Sequence, residues 1–267
     1  MIKVNKNFED IPNILTPNPT RGVSRENVFN QNIASASYCD TKNSYKVKSV
    51  QTRLYEIYHL KCAYCEKKLL DIPKHIEHYR PKSYYYWLAY SWDNLLLSCG
   101  SCNIAKGSEF DTENEKVTYN NEQFSDIHNL SDGYDEIEKP KLINPEKEDV
   151  LAKLVFDIDC KMSSQDCRVQ YTIEDVCHLN RVELLQRRQK IVNDFKNVMN
   201  EHYLYFSKEG GITRFIPDIE NFINECKIEN EFYAFRYFVI NNIEIFFEDE
   251  LLTKIIKKLI AKIEADV

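Results

Sequence analysis

Between residues 62 and 107 the chain concentrates side chains that can do chemistry. Cys62 and Cys65 form one Cys-x2-Cys pair and Cys99 and Cys102 a second, with 33 residues between them. A two-residue spacer lets both thiolates of a knuckle point into one tetrahedral corner, and two knuckles complete a closed four-cysteine shell of the kind that holds structural zinc. Neither pair sits in a thioredoxin-like βαβ pattern, which argues against redox work. Between the knuckles run His75-Ile-Glu77-His78-Tyr-Arg80-Pro-Lys82 and Trp92-Asp-Asn94-Leu, and the second knuckle continues as Cys102-Asn103-Ile-Ala-Lys106-Gly. Phosphodiester hydrolysis needs a base for water, a divalent cation on the scissile phosphate, and a group that orients the base. An imidazole serves as base near neutral pH. Carboxylate and amide oxygens are hard ligands suited to Mg2+ or Mn2+, and a second amide can orient the base by hydrogen bonding. Glu77, His78, Asn94 and Asn103 are those residue types.

The elements that must position them follow from local pattern. Val50, Leu54, Ile57 and Tyr58 fall at helical spacing, which predicts a helix over 48–59 delivering the chain to the first knuckle. A short strand is expected around His75–Tyr79, where Glu77 and His78 would point to opposite sides, and a helix is expected to open at the second knuckle. Asn103 would then stand near that helix start, with Lys106 one turn along the same face and its ammonium within reach of a phosphate. Plainer roles compete: His78 as a satisfied strand histidine, Asn94 as a turn residue, Asn103 as a helix cap. Tyr84, Tyr85, Tyr86, Trp87 and Tyr90 are read as packing against the knuckles rather than stacking on bases.

Four regions are expected: an extended arm over 1–47, a zinc-braced module over 48–110, an acidic linker over 111–150, and a helical region over 151–267 with a possible docking role. In the last, Thr172 and Asn180 read as helix caps, the latter opening a long helix through Phe195. Residues 230–246 read as a core helix. Leu251, Leu252, Ile255, Ile256, Leu259, Ile260 and Ile263 form one apolar stripe of a final helix. Cys160, Cys167, Cys177 and His178 are too irregularly spaced for a second metal site.

Composition excludes whole classes. With 267 residues, 43% of them apolar and 29% charged, the chain is neither disordered nor a disulfide miniprotein. An odd nine cysteines suits a reducing compartment, and no apolar signal core or membrane-length run is visible, so a cytoplasmic protein without membrane attachment is expected. The net charge of −7 argues against coating a polyanion with the whole surface. It is an average over unlike parts: residues 61–107 hold seven Lys and Arg against four acids, a balance of +3, and the rest of the chain carries −10. The cysteine-flanked stretch is where a polyanion would be welcome.

The string Cys-x2-Cys, His-Ile-Glu-His-Tyr-Arg-Pro-Lys, Trp-Asp-Asn-Leu, Cys-x2-Cys-Asn-x2-Lys resembles an HNH endonuclease, the zinc-braced branch of the ββα-metal fold. More narrowly it resembles the PtuB-type HNH proteins of Septu antiphage systems and the related effectors beside some retrons. The resemblance implies a mainly α protein with a small α+β HNH module and a helical C-terminal region. It implies His78 as general base, Asn94 orienting it, and Glu77 with Asn103 binding one catalytic Mg2+ or Mn2+, while Cys62, Cys65, Cys99 and Cys102 hold zinc. Lys106, Arg80, Lys82 and His75 are the expected substrate-binding residues. Glu77 stands where Asp is commoner and Asn103 where the family name expects His, yet both offer an oxygen. The expected substrate is DNA or RNA, and the expected partner an ABC-type ATPase of the PtuA type. The alternatives are a noncatalytic zinc-knuckle binding module and a free-standing restriction-type nuclease.

Overall fold

The computed structural model describes residues 1, 3–20, 22–206 and 211–265. The regions expected over 1–47 and 151–267 also include positions 2, 21, 207–210, 266 and 267, which lie outside the described residues. The chain forms two compact units: Met1–Val150 with Cys167–His178, and Leu151–Asp166 with Leu179–Val267.

In the first unit, helix α1 (Glu26–Ser35) and helix α2 (Lys48–Ile57) precede an antiparallel pair, β1 (Lys74–His78) and β2 (Leu95–Cys99), and then helix α3 (Gly100–Lys106). The register pairs Lys74 with Cys99 and His78 with Leu95. Strand β2 is buried along its whole length, which is why Leu95, Leu96 and Leu97 run without the polar alternation of a half-exposed strand. Val50 and Leu54 on α2 are fully buried, as their spacing predicts. Gly107 ends α3 at φ 47, a left-handed backbone that favours glycine, and its N–H bonds the Asn103 carbonyl.

Two stretches differ from the sequence reading. The first 47 residues are not extended throughout, because α1 interrupts them with buried Phe29 and Asn32. Only Phe29 and Ile33 offered an apolar spacing there, too little for a periodic signal. The acidic stretch 111–150 contains helix α4 (Ser131–Glu138), and four of its carboxylates are tied to basic side chains of the fold. Glu138 and Asp135 bind Arg80, Glu148 binds Arg168, and Glu146 binds Lys6. The same unit takes in helix α5 (Cys167–Tyr171) and a π-helical turn at Thr172–Val176. Thr172 caps no helix: its hydroxyl donates to the Arg168 carbonyl and accepts from the Ile143 N–H.

The second unit opens with a short hairpin, β3 (Val155–Phe156) and β4 (Met162–Ser163). Asn180 clamps that hairpin, bonding both the N–H and the carbonyl of Met162, so the long helix α6 (Val182–Tyr205) begins after Arg181 without a side-chain cap. Helices α7 (Ile216–Glu225), α8 (Tyr233–Asn241), α9 (Ile243–Phe246) and α10 (Glu250–Ala265) follow. Phe195 stacks on Phe222 at 4.3 Å between ring centroids. The α10 stripe packs on α6, α7 and α9, with Ile256 fully buried, while Leu251 at its edge is exposed. Among the described residues no helix is long and apolar enough to cross a membrane.

Candidate active site

The four cysteines of the two knuckles are buried, and their sulfur atoms all lie within 4.8 Å of one another. Cys65 Sγ and Cys99 Sγ are 3.8 Å apart. Tetrahedral coordination at the usual Zn–S length of about 2.3 Å places sulfurs about 3.8 Å apart, so the donor set fits zinc. Buried sulfurs this close shift one another strongly. Hydrogen bonds from their neighbours hold Cys99 and Cys65 below the usual thiol range. Burial pushes Cys62 above that range, and the other three sulfurs push Cys102 above it. Cys99 also caps α3, where its Sγ accepts the Cys102 N–H at 3.4 Å.

Over β1 and the start of α3 lies a cavity of about 210 Å³ whose lining includes His75, Glu77, His78 and Asn103. The alternation expected to separate Glu77 from His78 does not do so, because His78 is the last residue of β1 and both line the same space. His78 is held three ways. Its Nε2 meets the Ala89 carbonyl at 3.0 Å, its own carbonyl accepts Lys106 Nζ at 2.8 Å, and the Tyr45 ring meets it edge-on at 4.6 Å. A carbonyl can only accept, so Nε2 carries the proton and Nδ1 keeps the free lone pair. Burial, with the Lys82 charge, pulls the imidazolium pKa down to about 3, so the ring is neutral at physiological pH.

Glu77 is buried and accepts the His78 N–H at 3.0 Å and Lys106 Nζ at 3.1 Å through one carboxylate oxygen. Burial raises its pKa, against the opposing pull of Lys106. Its other oxygen retains lone pairs for a further ligand. The half-buried Asn103 amide lines the cavity without a hydrogen-bond partner among the described residues. An acidic oxygen and an unused amide oxygen facing one polar space fit a hard divalent cation. His75 lies against the start of α3, where a Cβ on Gly100 would come within 3.3 Å of its Nε2.

Three expected roles meet a different geometry. Asn94 does not touch His78: its Oδ1 accepts the Arg80 N–H at 2.7 Å and its Nδ2 donates to the Arg80 and Leu88 carbonyls at 3.1 Å. It ties the end of β1 to the loop beside Ala89, whose carbonyl holds the imidazole. Lys106 is fully buried and bound to Glu77 and His78, so its ammonium stays inside the module. Arg80 is fully buried too, bound to Glu138 and Asp135 at 2.8 and 2.7 Å, and braces α4. A sequence shows which residues are cationic but not which already have a carboxylate partner. Lys82 and His75 do line the cavity, together with Tyr45 and Lys46, which the motif left out. Of the aromatic cluster Tyr85, Trp87 and Tyr90 are buried, with Tyr85 and Trp87 packed on Phe110, Tyr119 and Tyr134 rather than on the knuckles, while Tyr84 is exposed.

The comparisons with known proteins agree with this geometry. Residues 62–109 match the family model for HNH endonuclease, so an HNH endonuclease domain occupies that stretch. The chain is 32% identical over 180 residues to the Septu protein PtuB of Bacillus mycoides strain KBAB4, covering 59% of this chain and 56% of that one. It is 39% identical over 70 residues to the PtuB of Bacillus thuringiensis, 26% of this chain and 27% of that one. It is also 22% identical over 194 residues to the Septu protein PtuA of Bacillus mycoides strain KBAB4, 68% of this chain but 25% of that longer one. The matched stretch thus spans about half the length of the first of these relatives.

Proposed function

We infer that this chain, which carries an HNH endonuclease domain at residues 62–109 and is similar to Septu PtuB proteins, is a metal-dependent endonuclease that hydrolyses phosphodiester bonds of nucleic acid. One observation carries the reading: a neutral His78, with Nε2 committed to Ala89, shares a cavity with a buried carboxylate and an unpartnered amide. Nδ1 of His78 takes the proton of the attacking water. Ala89 and Tyr45 fix the ring, Lys106 holds the His78 backbone carbonyl, and Asn94 holds the loop that carries Ala89. Glu77 and Asn103 would hold Mg2+ or Mn2+, which when bound supplies a Lewis acid for the phosphate oxygens. Lys106 opposes the burial that raises the Glu77 pKa. The four cysteines would hold zinc as a scaffold.

The wider reading is a defence effector that works with an ATPase partner of the PtuA type. Its support is similarity to proteins named Septu PtuB and to a quarter of a longer protein named Septu PtuA, in which a related stretch is part of one chain. The test is cleavage of plasmid DNA and of RNA by the full chain with Mg2+ or Mn2+, with and without a co-expressed PtuA-type protein. His78→Ala should lower cleavage by at least about 100-fold, the usual worth of a general base, while the circular dichroism spectrum stays unchanged. Equal cleavage by both proteins would leave a noncatalytic binding module as the better reading.

A further inference from the structure

Lys106 and Arg80 are consumed inside the module, so the cations that meet a substrate must come from elsewhere. Two ammoniums line the cavity without an ion-pair partner among the described residues: the exposed Lys46 and the half-buried Lys82. They arrive from different parts of the chain, Lys46 on the segment leading into α2 and Lys82 just beyond β1. They converge on the same ring. Lys46 Nζ is 5.7 Å and Lys82 Nζ 6.0 Å from the centre of Tyr45, which also meets His78 at 4.6 Å. Lys82 is further placed over Tyr38 at 4.9 Å.

Three ammoniums around one carboxylate leave the cavity with excess positive charge. Burial lowers the Lys82 pKa; Glu77 opposes that shift, and Lys46 and Lys106 add to it by like-charge repulsion. Such a cluster is costly unless an anion visits it. The anion of Glu77 is already bound to Lys106, and Tyr45 is a common neighbour of the two outer lysines and the imidazole. Lysine is a point charge on a flexible stem, suited to a phosphate and indifferent to base identity.

We propose that Lys46, acting with Lys82, grips the backbone phosphate next to the scissile one. This rests on the nuclease reading above and deepens it, making the substrate a strand with phosphates flanking the cleaved bond rather than a mononucleotide or a terminal phosphate. The test uses binding instead of cleavage, so that it is decided separately from that reading. Full-length protein carrying His78→Ala is titrated by fluorescence anisotropy with oligonucleotides of two unrelated sequences, each as single-stranded DNA, duplex DNA and RNA, between about 50 and 200 mM salt. Adding Lys46→Gln should weaken binding equally for both sequences and make the slope of log K against log salt shallower by about 0.7 on single strands or 0.9 on duplex, the signature of one lost phosphate contact. Adding Lys82→Gln as well should weaken binding further without a second full step in slope, since both lysines serve one phosphate. The strand type whose slope falls by the full one-contact amount expected for it identifies the substrate form. An unchanged slope, a loss that depends on sequence, or no binding by the parent protein overturns the proposal. Cleavage failing while the slope changes leaves it standing.

Discussion

Cys99 is at once a member of the four-sulfur cluster and the cap of α3, the helix that carries Asn103 and Lys106. A serine there keeps a capping oxygen but removes the thiolate, so it separates the two roles. We expect Cys99→Ser to lose zinc and to unfold the module, because zinc binding in small four-ligand domains is worth about 10–16 kcal/mol. Metal content by mass spectrometry and thermal melting of the purified protein check this. One zinc per chain with an unchanged melting temperature would contradict the assignment. The same scale explains why single residues are unequally legible. The cysteine spacing encodes its geometry directly, whereas the role of Asn94 depends on the carbonyls of Arg80 and Leu88, and a carbonyl has no sequence signature.

At the scale of elements, the turn at Trp92–Asn94 that feeds β2 is set by groups far away in sequence. Lys6 Nζ donates to the carbonyls of Trp92 and Leu95 at 2.5 and 2.7 Å, and His128 Nδ1 accepts the Trp92 N–H at 3.0 Å while Nε2 donates to the Leu15 carbonyl. His128 must be neutral for both bonds, and burial pulls its pKa down from 6.5 to about 4. The unfolded chain therefore takes up a proton at this residue before the folded one does. Its contribution is complete above pH 6.5 and is lost as pH falls through about 4, in all about 3 kcal/mol. Urea unfolding at pH 7 and pH 4 should show His128→Gln losing less stability on acidification than the wild-type chain, by roughly that amount. Equal losses would mean that His128 is not the titrating group.

At the scale of the molecule, the chain returns to its first unit after starting the second. Residues 167–178 bury Val169, Ile173 and Val176 there, Arg168 binds Glu148, and the Thr172 hydroxyl satisfies the Ile143 N–H. The first unit is thus incomplete if the chain is cut where its acidic stretch ends. A fragment of residues 1–150 should melt at least several degrees below the first transition of the full chain, since each buried aliphatic side chain it lacks is worth about 1.5–3 kcal/mol. Differential scanning calorimetry of both checks this, and coincident transitions would show that the returning segment is dispensable.

The sequence by itself determined the module: the two knuckles, the strand bearing Glu77 and His78, the helix opening at the second pair, and the helical character of the C-terminal half. These follow from short-range spacing, because ligand geometry and periodicity act over a few residues. Tertiary structure decided which charges are available. Lys106, Arg80 and Lys82 are alike cations of the same motif in sequence, yet Lys106 is bound to Glu77 and Arg80 to Asp135 and Glu138, while Lys82 and Lys46 remain at the cavity. Burial and partner choice are set by contacts between residues as far apart along the chain as Arg80 and Glu138, 58 positions from each other. A charge is worth something to a substrate only when the fold has not already neutralised it, and that is a property of packing rather than of spacing.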